Sequence, residues 1–150
     1  MSRLLAVLLA ASCLQGPEAA TDVKAELERH QGVWRCASLR RDGKEADAAV
    51  VRSITRTVDG DRVVWRRDGK SFSASTIVID PKADPMTIDV HADGGPGRDK
   101  VVRGIYKLEG DRLTLCTGDP DEPRPDDFRA EAGDRWTLMV FEREETGQGP

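Results

Sequence analysis

Residues 101–117 read VVRGIYKLEGDRLTLCT, and this stretch decides the fold. Two apolar-polar runs, Val101 to Leu108 and Arg112 to Thr117, flank the turn residues Glu109-Gly110-Asp111. A period of two marks a half-buried strand, because successive side chains leave opposite faces of the backbone. Two such runs around a glycine-bearing turn make an antiparallel hairpin. Parity then places Cys116 on the face opposite Leu113 and Leu115.

The same rhythm continues on both sides. Val33 to Arg41 ends in Asp42-Gly43, a two-residue hairpin signal. Val50 to Val58 is closed by Asp59-Gly60-Asp61, and Arg62 to Arg67 by Asp68-Gly69. Ser71 to Ile79 carries Phe72, Ala74, Thr76 and Val78 on one face. Pro81 and Pro85 bracket a turn, since proline donates nothing to a sheet ladder. Met86, Ile88 and Val90 then alternate with Thr87, Asp89 and His91. Ala92 to Lys100 reads as a glycine-rich mobile loop, and Gly118 to Asp134 as a long loop holding Pro120, Pro123 and Pro125. Arg135 to Arg143 is the last strand. Ahead of them all, Thr21 to Gln31 reads as a short helix, with Val23 and Leu27 at i, i+4 and Gly32 as its stop.

Eight strands joined mostly by tight turns should pair with their sequence neighbours. A meander of this length lowers its energy by closing, because closure leaves no unpaired edge. The expected fold is all-β: an antiparallel up-and-down barrel of about eight strands with a short N-terminal helix. An open sheet packed under that helix is the competing arrangement.

Composition narrows the function. With 150 residues the chain supports one domain. Lys plus Arg number 23 against 27 Asp plus Glu, interleaved without a basic stripe, which argues against a nucleic-acid partner. The N-terminus, MSRLLAVLLAASCLQGPEAA, has the layout of an export signal: Arg3, an apolar stretch from Leu4 to Leu14, then small residues. That stretch of about 11 residues is well short of the roughly 20 needed to span a bilayer. Residues 1–20 are therefore read as a signal peptide, 21–146 as the barrel domain and 147–150 as a polar tail. Ala10-Ala11-Ser12 ahead of Cys13 also suits a lipoprotein signal, with Cys13 as the lipidated residue. The two readings place the mature chain in the periplasm or cell envelope, with an extracellular location as the alternative. Of the remaining cysteines, Cys36 and Cys116 read as two independently placed thiols in preference to a disulfide.

No catalytic set is legible. There is no G-x-S-x-G, no H-E-x-x-H, no phosphate loop and no dinucleotide fingerprint, so no cofactor or metal is expected. His30 and His91 read as partly exposed polar residues. The acids Asp119, Asp121, Asp126 and Asp127 lack the spacing of a calcium loop. The aromatics Trp34, Trp65, Phe72, Tyr106, Phe128, Trp136 and Phe141 fall mostly in strands, where core filling is the default.

Five segments, QGVW at 31–34, SLRRDGK at 38–44, GIYKLEGDRLTLC at 104–116, RPDDF at 124–128 and WTLMVFER at 136–143, resemble an uncharacterised lipocalin-like domain of planctomycete bacteria. The resemblance covers about Glu28 to Arg143. It implies a lipocalin-like barrel, often behind a signal peptide, and no activity. Gly32-Val33-Trp34 also resembles the G-x-W of true lipocalins, whose tryptophan plugs the barrel base under a basic side chain; here that side chain is either Arg143 or Arg124. Cys36 and Trp65-Arg66-Arg67 depart from the usual family form.

Non-catalytic binding of a small, partly apolar molecule inside the barrel is the leading expectation, with Trp34, Tyr106, Arg124 and Phe128 as candidate contacts. RPDDF reads either as a latch across one barrel end or as a lid over a ligand. An envelope or protein-interaction module with a packed interior is the alternative. A barrel of about eight strands fills its interior or keeps room for one small ligand.

Overall fold

Gly32 adopts φ +112°, where a side chain would be strained, and at this residue the chain passes from helix to sheet. The computed structural model describes residues 17–145. The proposed signal, with Cys13 in it, falls largely outside them, as does the tail at 147–150. Helix α1 spans Pro17–His30 and so begins four residues ahead of the expected start. The strands are β1 (Gly32–Arg41), β2 (Lys44–Glu45), β3 (Ile54–Asp59), β4 (Arg62–Arg67), β5 (Lys70–Asp80), β6 (Met86–Ala92), β7 (Val101–Glu109), β8 (Arg112–Thr117) and β9 (Thr137–Arg143). A second helix, α2, occupies Ala48–Ser53.

Every pairing is antiparallel, in the order β1-β3-β4-β5-β6-β7-β8-β9. β9 returns to β1, from Trp34 opposite Arg143 to Arg41 opposite Thr137, and closes an eight-stranded barrel. β2 adds a two-residue spur to the end of β1. The up-and-down barrel expected from the alternation is what forms.

Two strand starts differ by two residues or more. The Val50–Val58 run begins as α2, because Ala48-Ala49-Val50-Val51 has no two-residue alternation and Val51 reaches the core from a helical turn. The last strand starts at Thr137, since Arg135 takes φ 61°, which breaks the extended backbone.

The two ends of the barrel are built differently. At one end lie the start of β1, the turns at Gly60 and Gly110, and α1. There Trp34, Val58, Leu108, Leu113 and Phe141 form a dry plug, with Val23 and Leu27 of α1 packed on it. At the other end are α2, the Asp68-Gly69 turn and the loops after β6 and β8.

Residues 118–134 lie along the outside of the barrel. Their backbone is pinned to β7, by Gly118 N donating to Arg103 O (2.9 Å) and Asp121 N to Val101 O (2.9 Å). The Ala130 carbonyl accepts from Gly43 N (3.0 Å), tying the loop to the β1–β2 turn. Beneath it Ile105, Cys116, Pro125 and Ala130 are buried on the outer face, a second small core.

Candidate ligand site

The inner face of β1 carries Trp34, and its indole is completely buried. Its Nε1 donates to His30 O at 2.8 Å, so the plug is fastened to the last turn of α1. Arg143 lies over the indole ring at 4.2 Å. The guanidinium also donates to Gln31 O, to Arg29 O (2.6 Å) and to Asp111 (2.9 Å). Of the two candidate basic partners of Trp34, Arg143 is the one in place.

Tyr106 points to the same end from β7. Its hydroxyl donates to Glu26 Oε1 (3.2 Å), and Glu26 in turn accepts from Arg29 (2.8 Å). Burial, followed by the Glu26 carboxylate, holds the phenol well above its usual range. The ring meets His30 edge-on, with centroids 4.9 Å apart. Trp34 and Tyr106 are thus brought together around His30, as parts of the plug.

His30 corrects the expectation of a partly exposed residue. It is fully buried, because the last turn of α1 turns it onto the barrel end, while His91 is exposed. Burial, and then the charges of Arg56, Arg29 and Arg143, push its pKa down to about 3, so the ring is neutral. Neither ring nitrogen has a hydrogen-bond partner.

Arg124 and Phe128 stand elsewhere. Arg124 donates to Gly104 O (2.8 Å) and Ile88 O (3.3 Å) and pairs with Asp89 (2.8 Å), which clamps the loop to β6 and β7. Phe128 is half-buried under Lys107, whose ammonium is 4.9 Å from the ring centre on the exposed side of β7. RPDDF is a latch on the outer wall, and neither side chain joins Trp34 and Tyr106.

Cys36 faces the interior and Cys116 the outer core, both as free thiols. Burial raises each to about 11, so both are protonated at neutral pH.

Sequence reasoning passed over Arg56. The run Ile54-Thr55-Arg56-Thr57-Val58 alternates, and Ile54 and Val58 face the core. Arg56 shares their parity and is 1% exposed. Its guanidinium lies 5.8 Å from the Trp65 ring centre, and its Nε and Nη1 have no partner. Burial lowers its pKa to about 10, which leaves it charged at neutral pH. Holding an unpaired ion inside a protein costs several kcal/mol. Ser75, from β5, adds a third buried group whose hydroxyl lacks a partner.

One inward-facing position nearer the rim than Arg56, at Ile54, the barrel wall borders a hollow of about 260 Å³, which Arg56 itself does not line. Leu39, Ile54, Trp65, Phe72, Ser73 and Met139 line it, from five successive strands at the end away from α1. Phe72 is at the rim because the β4–β5 register slips between Trp65 and Arg66, leaving Phe72 as the extra residue and 62% exposed. Trp65, packed edge-on against Phe141 at 5.6 Å, stands between the hollow and the plug.

Among the described residues no cluster of three His, Cys, Asp or Glu side chains is arranged to hold a metal ion, and no helix is long and apolar enough to cross a membrane. No family model, curated protein or solved structure matches the chain.

Proposed function

We propose that this chain is a non-catalytic binding domain that takes a small, partly apolar molecule into the open mouth of its barrel. The observation that carries this reading is the apolar hollow bounded by Leu39, Ile54, Trp65, Phe72 and Met139 at the end that α1 leaves uncovered. Its volume of about 260 Å³ is below the range of roughly 300–1,000 Å³ usual for drug-sized ligands. The ligand is therefore small, with a short chain or a single ring.

The N-terminal segment supports export to the periplasm, cell envelope or exterior, with residues 1–20 as the signal and Cys13 as the lipid attachment point if the signal is of lipoprotein type. We also group the chain with the planctomycete lipocalin-like domains, on the motifs that carry the resemblance.

A thermal-shift screen of the full chain with short fatty acids, terpenoids and single-ring aromatics tests the binding reading. A ligand at 100 times its Kd stabilises the fold by about 2.7 kcal/mol. At least one compound should give a saturable rise in Tm that is lost in Leu39→Trp, which fills the hollow. A flat response across the screen would instead favour an envelope or interaction module with no ligand.

A further inference from the structure

We propose that Arg56 is an anion anchor, and that the molecule held in the barrel mouth is a small monocarboxylate with an apolar tail. This rests on the binding reading above and names its ligand class. Arg56 carries a full charge in the interior, yet among the described residues no carboxylate pairs with it, and Nε and Nη1 are left without acceptors. Buried guanidinium groups are ordinarily matched by an acceptor. Arginines nearer the solvent show the contrast: Arg124 meets Asp89 at 2.8 Å and Arg41 meets Asp119 at 2.8 Å.

The neighbouring groups define what the missing partner is. Ser75 and the neutral His30 are also buried without hydrogen-bond partners for their side chains, and the charge of Arg56 acts on the His30 ring. A carboxylate accepts from a guanidinium and from a hydroxyl, and His30 stays with the plug. One cation calls for one negative charge, and a dianion would leave the interior net negative. The side chains above Arg56 are apolar, and Ile54 is one inward-facing position nearer the rim on the same strand, roughly 6–7 Å at about 3.3 Å per residue. A headgroup at Arg56 and a short tail among Leu39, Ile54, Trp65 and Met139 fit that spacing.

The test compares charged and neutral versions of the same molecules on the full chain. Isothermal titration with hexanoate and benzoate is set against hexanol and benzyl alcohol. The carboxylates should bind at least about tenfold tighter, the scale of one hydrogen bond to a charged group. Arg56→Met should abolish that preference, keep the affinity for the alcohols and raise the Tm of the ligand-free protein; Arg56→Lys should retain part of the preference. Equal affinity for acids and alcohols in the unaltered chain would overturn the role of Arg56 and leave the mouth as a binding site. Binding of neither series would overturn the binding reading and this inference with it.

Discussion

His30 shows how much one side chain depends on its setting. A histidine that ends a helix is normally wet, but here it is sealed between Tyr106, Trp34 and the interior, and three arginines add their field. The pKa falls from about 6.5 in the unfolded chain to about 3 in the folded one. A proton is thus bound by the unfolded state and refused by the native state between those values, and stability drops as pH falls through that window. The slope contributed by one such proton approaches about 1.4 kcal/mol per pH unit. Urea unfolding between pH 7 and 5 should show this loss in the natural chain and not in His30→Phe, which keeps the edge-on ring contact. Parallel curves for the two proteins would refute it. The burial was illegible from sequence, because helix periodicity gives no indication of which barrel end the helix will meet. Arg56 was legible in principle: its parity with Ile54 and Val58 puts it inside, and only the expectation that arginine stays wet concealed it.

At the scale of elements, the strand alternation and the Asp-Gly turns carried nearly all of the barrel. Asp42 and Asp68 both take positive φ ahead of their glycines, as a tight hairpin requires. The exceptions are local. α2 interrupts a run of small and branched residues, and the bulge at Phe72 leaves that aromatic at the rim without a cross-strand partner on β4. The loop at 118–134 is held by long-range contacts that no periodicity encodes. Arg124 supplies three of them, to Ile88, Gly104 and Asp89. Its site is partly solvated, which reduces what the ion pair contributes. Arg124→Ala should cost about 1–2 kcal/mol in urea unfolding and speed amide exchange at Gly118 and Asp121. Unchanged exchange at both would show that the prolines hold the loop without the latch.

Taken whole, the molecule has one end shut by aromatic packing and one end that carries a hollow. α1, Trp34, Arg143, Tyr106 and Phe141 close the first with aromatic packing and a cation over the indole. The second keeps an apolar hollow, with the unpaired guanidinium of Arg56 one inward-facing position deeper on β3 than Ile54 of its wall. On the proposed binding reading, stability and recognition fall to opposite ends, and an arginine that burdens the empty barrel would gain its counter-charge from the ligand.

The three tryptophans report separately on the plug (Trp34), the mouth (Trp65) and the outer latch (Trp136, under Arg129). The decisive measurement is a ¹H–¹⁵N spectrum of their indole N–H signals, each assigned by a Trp→Phe variant, during titration with hexanoate. The Trp65 signal should move in a saturable way while those of Trp34 and Trp136 stay in place. Movement of Trp34 or Trp136 with Trp65 unaltered, or no movement at saturating hexanoate, would contradict a ligand site in the barrel mouth.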